Sequence, residues 1–320
     1  MKYHQLGRSA LQVSRLCLGT MNFGPRTDQQ EAFDILNHAV SQGLNFIDTA
    51  DQYGGDLGVG TTESMLGRWL SEDAARRDRL VIATKVYEPM SSDINDRGLS
   101  ARHIQRACEA SLKRLGVETI DLYQMHHLDR AASPEEVWQA MDRLIAQGKI
   151  IYAGSSNFPG WQIARMNERA RNASQLGLVS EQSLYNLLER RAELEVIPAC
   201  QSYGLGLLPW SPLAGGLLAG PARDQGRRQS ESVLSARQER LTALERFETF
   251  CASMNEDPST VALAWLLHQR AVASVIIGPA SIAQLETGFK ALALRLDTAD
   301  LERLDEIFPP CGPAPEAYAW

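Results

Sequence analysis

Residues Leu80–Lys85 read LVIATK. Four apolar side chains follow one another without a polar break, and the run ends on a cation. A strand with one wet face alternates apolar and polar residues; a continuous apolar run is the mark of a strand buried on both faces. Ser274–Ile277 (SVII) has the same character. Strands of this kind occur in parallel sheets covered by helices, so the flanking sequence must supply those helices.

It does so on both sides. Lys2–Leu6 and Gln12–Arg15, joined around Gly7, suggest an N-terminal β-hairpin. Leu16–Thr20 is a first strand. Asp28, with Glu31 three residues on, signals a capped helix that Gly43 ends. Asn45–Asp48 is a second strand and Thr61–Leu70 a helix. After Leu80–Lys85, the third strand, come a helix Ser100–Leu115, a strand Ile120–Met125 and a helix Ser133–Gln147 with Glu136 closing its box. A fifth strand Ile150–Ser155 precedes a helix Gly160–Ala173, and a sixth, Leu178–Gln182, precedes Arg191–Tyr203. Gly206–Trp210 is the seventh strand. Ala214–Ser232, rich in Gly and Arg, reads as a mobile loop, followed by helices Leu234–Met254 and Val261–His268. Val275–Ile277 is the eighth strand, with helix Ser281–Ala291 after it and Leu301–Ile307 beyond the repeat. Eight strand–helix pairs, with no GxGxxG after any strand, favour an α/β fold of (β/α)8 TIM-barrel type over a doubly wound sheet. Residues 1–320 are expected to form a single domain.

Composition narrows the function. The chain has 320 residues, with 32 Lys and Arg against 39 Asp and Glu, a formal net charge of −7. No block of like charge suggests a nucleic-acid surface. Arg76, Arg77 and Arg79 read as a solvated helix end. No apolar run reaches the roughly 18 residues of a membrane span, and the N-terminus lacks the apolar core of a secretory leader. The five cysteines are scattered and odd in number, as expected of reduced thiols in a cytoplasmic protein.

Catalytic groups in such a barrel sit at the C-terminal ends of the strands. Strand two ends on Asp48, strand three on Lys85, and strand four runs into His126 and His127; Tyr53 follows Asp48 in a Gly-rich loop. Each has a plainer reading alone: a turn cap, a solvated cation, a core imidazole, a packed loop aromatic. Together on neighbouring strands they suit acid catalysis. A lysine cation lowers the pKa of a nearby phenol from its ordinary value near ~10, a carboxylate orients the lysine, and an imidazole polarises a carbonyl. Such a set has no hydride of its own, so redox chemistry would require a nicotinamide.

The segments DTADQYG, ATK, DLYQMHHLD, GSSNF, SEQSLYN and PWSPLAGGLL follow in an order that resembles the aldo-keto reductase family, in its aryl-alcohol dehydrogenase-like and channel β-subunit-like branch. The resemblance covers the whole chain. It implies a (β/α)8 barrel that reduces a small-molecule carbonyl substrate with NADPH and needs no metal, working as a monomer or homo-oligomer without nucleic acid or membrane. The implied tetrad is Asp48, Tyr53, Lys85 and His126. His126 takes precedence over His127 because strand alternation sends the two to opposite faces. Asp48, Ser156, Asn157 and Gln182 would hold the nicotinamide end, Trp210 would stack on the ring, and Gly19, Thr20 and Met21 would line its side. Ser211, Leu213, Gly215 and Leu217 belong to the loop implied to cover the pyrophosphate.

At the adenosine end, many members carry Lys or Arg; here the positions read Gly278, Ala280 and Gln284, with Ser281 starting a helix. That departure admits NADH beside NADPH. Two rival functions have other signatures. A redox-sensing regulatory subunit would bind cofactor with little turnover, and the intact tetrad favours an enzyme. A metal-dependent hydrolase would need His126 and His127 on one metal, which alternation on a strand disfavours. Substrate choice would rest on residues 86–98 and 214–232 and on the Pro-rich tail, expected first to cross the barrel mouth.

Overall fold

The computed structural model describes residues 1–220, 235 and 237–319. Ten strands are present among them: β1 (Tyr3–Gln5), β2 (Gln12–Ser14), β3 (Leu16–Gly19), β4 (Phe46–Asp48), β5 (Val81–Val86), β6 (Ile120–Met125), β7 (Ile150–Ser156), β8 (Leu178–Leu184), β9 (Gly206–Trp210) and β10 (Val275–Ile277). β3 to β10 form one eight-stranded sheet in the order β10-β3-β4-β5-β6-β7-β8-β9, and every pairing is parallel. The sheet nearly closes into a barrel. Leu207 of β9 exchanges backbone hydrogen bonds with Ala271 and Ala273, just ahead of β10, both at 2.9 Å. This is a (β/α)8 barrel with an N-terminal hairpin.

The unbroken apolar run of β5 follows from that closure. Val81 and Ala83 turn inward, where they meet Leu6, Val13, Phe46, Leu122, Leu208 and Ile276. Ile82 and Val86 turn outward, under the helices. The hairpin β1–β2 delivers Leu6 and Val13 to the interior and seals the N-terminal end. Gly7 is required there: at φ 55°, a Cβ would lie 2.2 Å from the carbonyl oxygen of Val179.

Outer helices begin where the caps indicate. Asp28 accepts the N–H of Glu31, Ser100 that of His103 and Ser133 that of Glu136. The Glu136 side chain does not complete its box; it accepts the N–H of Ala101 at 3.0 Å, tying its helix to the neighbouring one. Arg191–Tyr203 is not one helix. A 3-10 turn at Arg191–Glu193 precedes a helix at Val196–Tyr203, whose first turn holds Pro198, a residue without an N–H. The last long helix starts at Thr298, earlier than expected, because Asp297 and Asp300 form a capping box. Arg76 and Arg77 are anchored: Arg76 lies over the Trp69 ring and Arg77 pairs with Asp121 at 2.9 Å.

Part of the supposed mobile loop is ordered. Ala214–Ala219 makes a 3-10 turn with Leu217 and Leu218 buried. The remainder, 221–232, and the expected helix start at Leu234 lie outside the described residues; the helix itself spans Leu241–Ser253. The tail does not cross the mouth. Cys311 N–H donates to Glu193 and Ala314 N–H to the carbonyl of Leu194, which lays it along the outer rim near Trp161 and Pro198. No described helix is long and apolar enough to cross a membrane.

Candidate active site

The interior side chains change character along the strands. Below, the layers are Phe46, Val81, Ala83 and Leu122. At the C-terminal ends the same alternation brings Asp48, Lys85, Gln124 and Gln182 inward, all of them buried. The register pairs Lys85 with Gln124 across β5 and β6, and Asp48 with Ala83 across β4 and β5.

Lys85 is fully buried, and each of its three ammonium protons has an acceptor. Nζ lies 2.5 Å from Asp48 Oδ2, 2.8 Å from the Thr49 carbonyl and 3.3 Å from Tyr53 Oη. Burial alone would favour the neutral amine, but Asp48, and then Tyr53, raise the Lys85 pKa above its ordinary value. The other Asp48 oxygen accepts from Gln124 Nε2 and Gln182 Nε2, both at 2.9 Å. A buried ion pair is tolerated when its remaining lone pairs are satisfied in this way.

Tyr53 enters on a turn in which its N–H donates to the Ala50 carbonyl. Its ring stands edge-on to His126, with centroids 6.0 Å apart. The expected lowering of its pKa is not found. Burial pushes the phenol up; Lys85 opposes this, but Asp48 cancels part of the lysine's field, and the net shift is upward. His126 is also buried, and burial, Lys85 and His127 together push its pKa down to about 2. The imidazole is therefore neutral, and its Nδ1 has no partner among the described residues.

His127 is a second correction. It does not leave by the opposite face: its ring stacks on His126 with centroids 4.9 Å apart and 11° between the planes. β6 ends at Met125, so strand alternation no longer governs these residues. His127 Nε2 lies 3.1 Å from Glu88, and Tyr87 packs edge-on against its ring.

Asn157, at φ 58°, turns its amide back over the site. Its Nδ2 donates to the His126 carbonyl and its Oδ1 accepts from Trp210 Nε1, both at 3.0 Å. Ser156 Oγ donates to the Gln182 carbonyl. Ser156, Asn157, Gln182 and a half-buried Trp210 therefore adjoin the tetrad. Thr20 donates its hydroxyl to the Asp48 carbonyl at 3.0 Å, whereas the Met21 side chain is exposed. Gly19 is tight against β10, where a Cβ would lie 2.7 Å from Ile276.

Beyond β9, Ser211, Ala214, Gly215 and Gly216 all have positive φ (52°, 49°, 68° and 107°). The turn closes on itself: the N–H groups of Ala214 and Gly216 donate to the carbonyls of Ser211 and Leu213, and that of Gly215 to Ser211 Oγ. Leu213 is half-buried there, and Leu217 packs into the core. At the far end, Asn22 donates to the Gly278 carbonyl. Ser281 and Gln284 are engaged locally: Ser281 Oγ accepts the Gln284 N–H, and Gln284 Oε1 accepts that of Ala280. Residues 278–288 contain no Lys or Arg.

The family model for the aldo/keto reductase family matches residues 15–308.

The chain belongs to the aldo/keto reductase family.

It is 47% identical, over the full length of both chains, to an uncharacterized oxidoreductase of Bacillus subtilis. It is 32% identical to a provisionally named aryl-alcohol dehydrogenase of Schizosaccharomyces pombe, over 96% of each chain. It is 30% identical to versiconal hemiacetal acetate reductase of Aspergillus parasiticus, over 97% of this chain and 98% of the relative. This aldo/keto reductase is accordingly an oxidoreductase of carbonyl chemistry, from a family that uses NAD(P)H and acts on small carbonyl substrates.

Three neighbours of the site were not read from the sequence. Gln124 lies two residues after the inward-facing Leu122, and strand alternation within β6 would have found it. Glu181 is buried and accepts from Ser155 Oγ, Ser183 Oγ and the Phe158 N–H, which supports the turn carrying Asn157; burial pushes its pKa up to about 7. Glu88 has no sequence signal beyond its position three residues after Lys85.

Proposed function

We propose that this aldo/keto reductase converts a small aldehyde or ketone to its alcohol with NADPH, Tyr53 serving as the general acid. The observation that carries the reading is the chain Asp48–Lys85–Tyr53, in which one buried ammonium joins a carboxylate to a phenol at the barrel mouth.

When bound, the nicotinamide supplies the hydride. The protein's own groups do the rest. His126 and Tyr53 direct hydrogen bonds at the carbonyl oxygen and polarise it. As negative charge develops on that oxygen, Tyr53 transfers its proton to it. The phenolate that remains is stabilised by the Lys85 ammonium, while Asp48, held by Gln124 and Gln182, keeps Lys85 charged and in place. A phenol with a raised pKa is fully protonated at neutral pH, which suits the reductive direction.

Ser156, Asn157 and Gln182 would bind the carboxamide, with Trp210 against the ring and Gly19, Thr20 and Met21 along its side. Ser211, Leu213, Gly215 and Leu217 would lie in the loop over the pyrophosphate. Gly278, Ser281 and Gln284 would meet the adenosine end, where the lack of a guanidinium makes NADH an acceptable substitute. Five free thiols, four of them buried, fit a reducing cytoplasm.

The test is a panel of aromatic and aliphatic aldehydes with purified protein and NADPH. Stoichiometric cofactor oxidation and alcohol formation are expected. Tight cofactor binding with no alcohol from any member of the panel would refute the proposal.

A further inference from the structure

The parallel register of β5 and β6 pairs Val86 with Met125. Continued two residues past each strand, it sets Glu88 opposite His127. The two meet there, with His127 Nε2 3.1 Å from Glu88 Oε1. His126 stacks against His127 on the same side of the mouth. A ligand atom from each of these three residues lies within 4.8 Å of the other two. Two imidazoles and a carboxylate are a ligand set that zinc uses where it keeps a fourth position open.

We infer that Glu88, His126 and His127 form a site for a divalent transition ion of the zinc class, and that its occupation switches the reductase off. Ligand bonds of about 2.0–2.2 Å in a tetrahedron place ligand atoms roughly 3.3–3.6 Å apart. The Glu88–His127 pair is already near that separation. Closing the rest requires rotation of the parallel rings, and Glu88 and His127 follow the strands on partly exposed loop residues that can turn. His126 Nδ1, buried and without a partner among the described residues, gains one if it takes the ion. The other ring nitrogen of His127, Nδ1, lies 3.4 Å from the Asn157 side-chain nitrogen, which leaves Nε2 as the atom that faces Glu88.

The inhibitory half of this inference rests on the proposed role of His126. A carbonyl oxygen needs the His126 N–H as donor; coordination would turn that ring from the position in which its N–H serves the mouth and would set a cation beside it. Inhibition should therefore compete with the carbonyl substrate.

Binding is tested apart from turnover by titrating the full chain with Co2+ and following its visible ligand-field absorption, with Zn2+ in displacement. Wild type should bind one ion. Glu88→Gln and His127→Asn should each weaken binding about tenfold or more, the scale on which even outer-shell changes act. Zn2+ should inhibit carbonyl reduction competitively, EDTA should restore it, and both variants should resist it. No Co2+ absorption in wild type, or equal binding by the variants, would overturn the site. Equal inhibition of all three proteins would instead place zinc elsewhere, for example at the half-buried Cys311, and would also overturn it. Binding that leaves turnover unchanged would overturn the claim that the ion engages His126. An enzyme without turnover would fail the proposed function alone, since the Co2+ titration would still report the site.

Discussion

Breaking the Asp48–Lys85 pair from either side should destabilise the barrel, and breaking it from both sides should restore much of the loss. The 2.5 Å contact is sealed from solvent, with Lys85 0% and Asp48 3% exposed. Asp48→Asn leaves a buried ammonium without a countercharge, with only neutral oxygens around it. Lys85→Met leaves a carboxylate with only two amide donors. Removing one partner of a buried pair costs about 3–5 kcal/mol, whereas replacing both is close to neutral. For 320 residues, an unfolding entropy of about 2.1 cal/mol/K per residue gives ~0.67 kcal/mol/K, so each single change should lower Tm by roughly 4–7 °C. The double variant should recover to within about 2 kcal/mol of wild type, yet all three should lose carbonyl reduction by a factor of about 10²–10⁴. Urea denaturation followed by tryptophan fluorescence, run as a double-mutant cycle, measures the coupling. Losses that simply add in the double variant would refute the reasoning, because two groups that hold one another charged in a dry interior cannot act independently.

Other expectations follow from single features. Glu181, with its pKa raised to about 7, keeps its proton more tightly when folded than the ordinary carboxyl value near ~4.3 allows. Its stabilising contribution is present below that unfolded value and is lost as pH rises to about 7, a change on the order of 3 kcal/mol. Glu181→Gln should abolish that loss, which unfolding curves at several pH values would show. Gln284→Arg places a guanidinium at the adenosine end and should raise affinity for NADPH over NADH about tenfold, read by fluorescence titration. Gly67 lies inside a helix, where alanine usually stabilises; here a Cβ would fall 2.2 Å from the Arg114 carbonyl oxygen, so Gly67→Ala should destabilise by about 1–3 kcal/mol in the same denaturation assay.

The barrel was legible because its strands are short and apolar without alternation, and because Asp28, Ser100 and Ser133 cap the helices between them. Asp48 and Lys85 were legible for a related reason: a charged residue ending an apolar strand must find a partner. Less could be read where the chain leaves regular structure. Alternation separates two adjacent side chains only while the strand lasts, and β6 stops at Met125, so His127 comes to stack on His126. The tail's course depends on Glu193 and Leu194, more than a hundred residues earlier, and no local pattern announces that contact. The direction of the Tyr53 pKa was not legible because it is set by burial, which outweighs the field of a Lys85 that Asp48 partly neutralises.

The role of Tyr53 is tested most directly by Tyr53→Phe, which removes one oxygen and leaves the ring against His126. Cofactor affinity, measured by quenching of tryptophan fluorescence, should stay within about threefold of wild type, since the assigned cofactor contacts belong to other residues. Single-turnover reduction of an aromatic aldehyde should fall by a factor of about 10²–10⁴. A variant that binds NADPH normally and still reduces the aldehyde within about tenfold of the wild-type rate would contradict the assignment of Tyr53 as the acid.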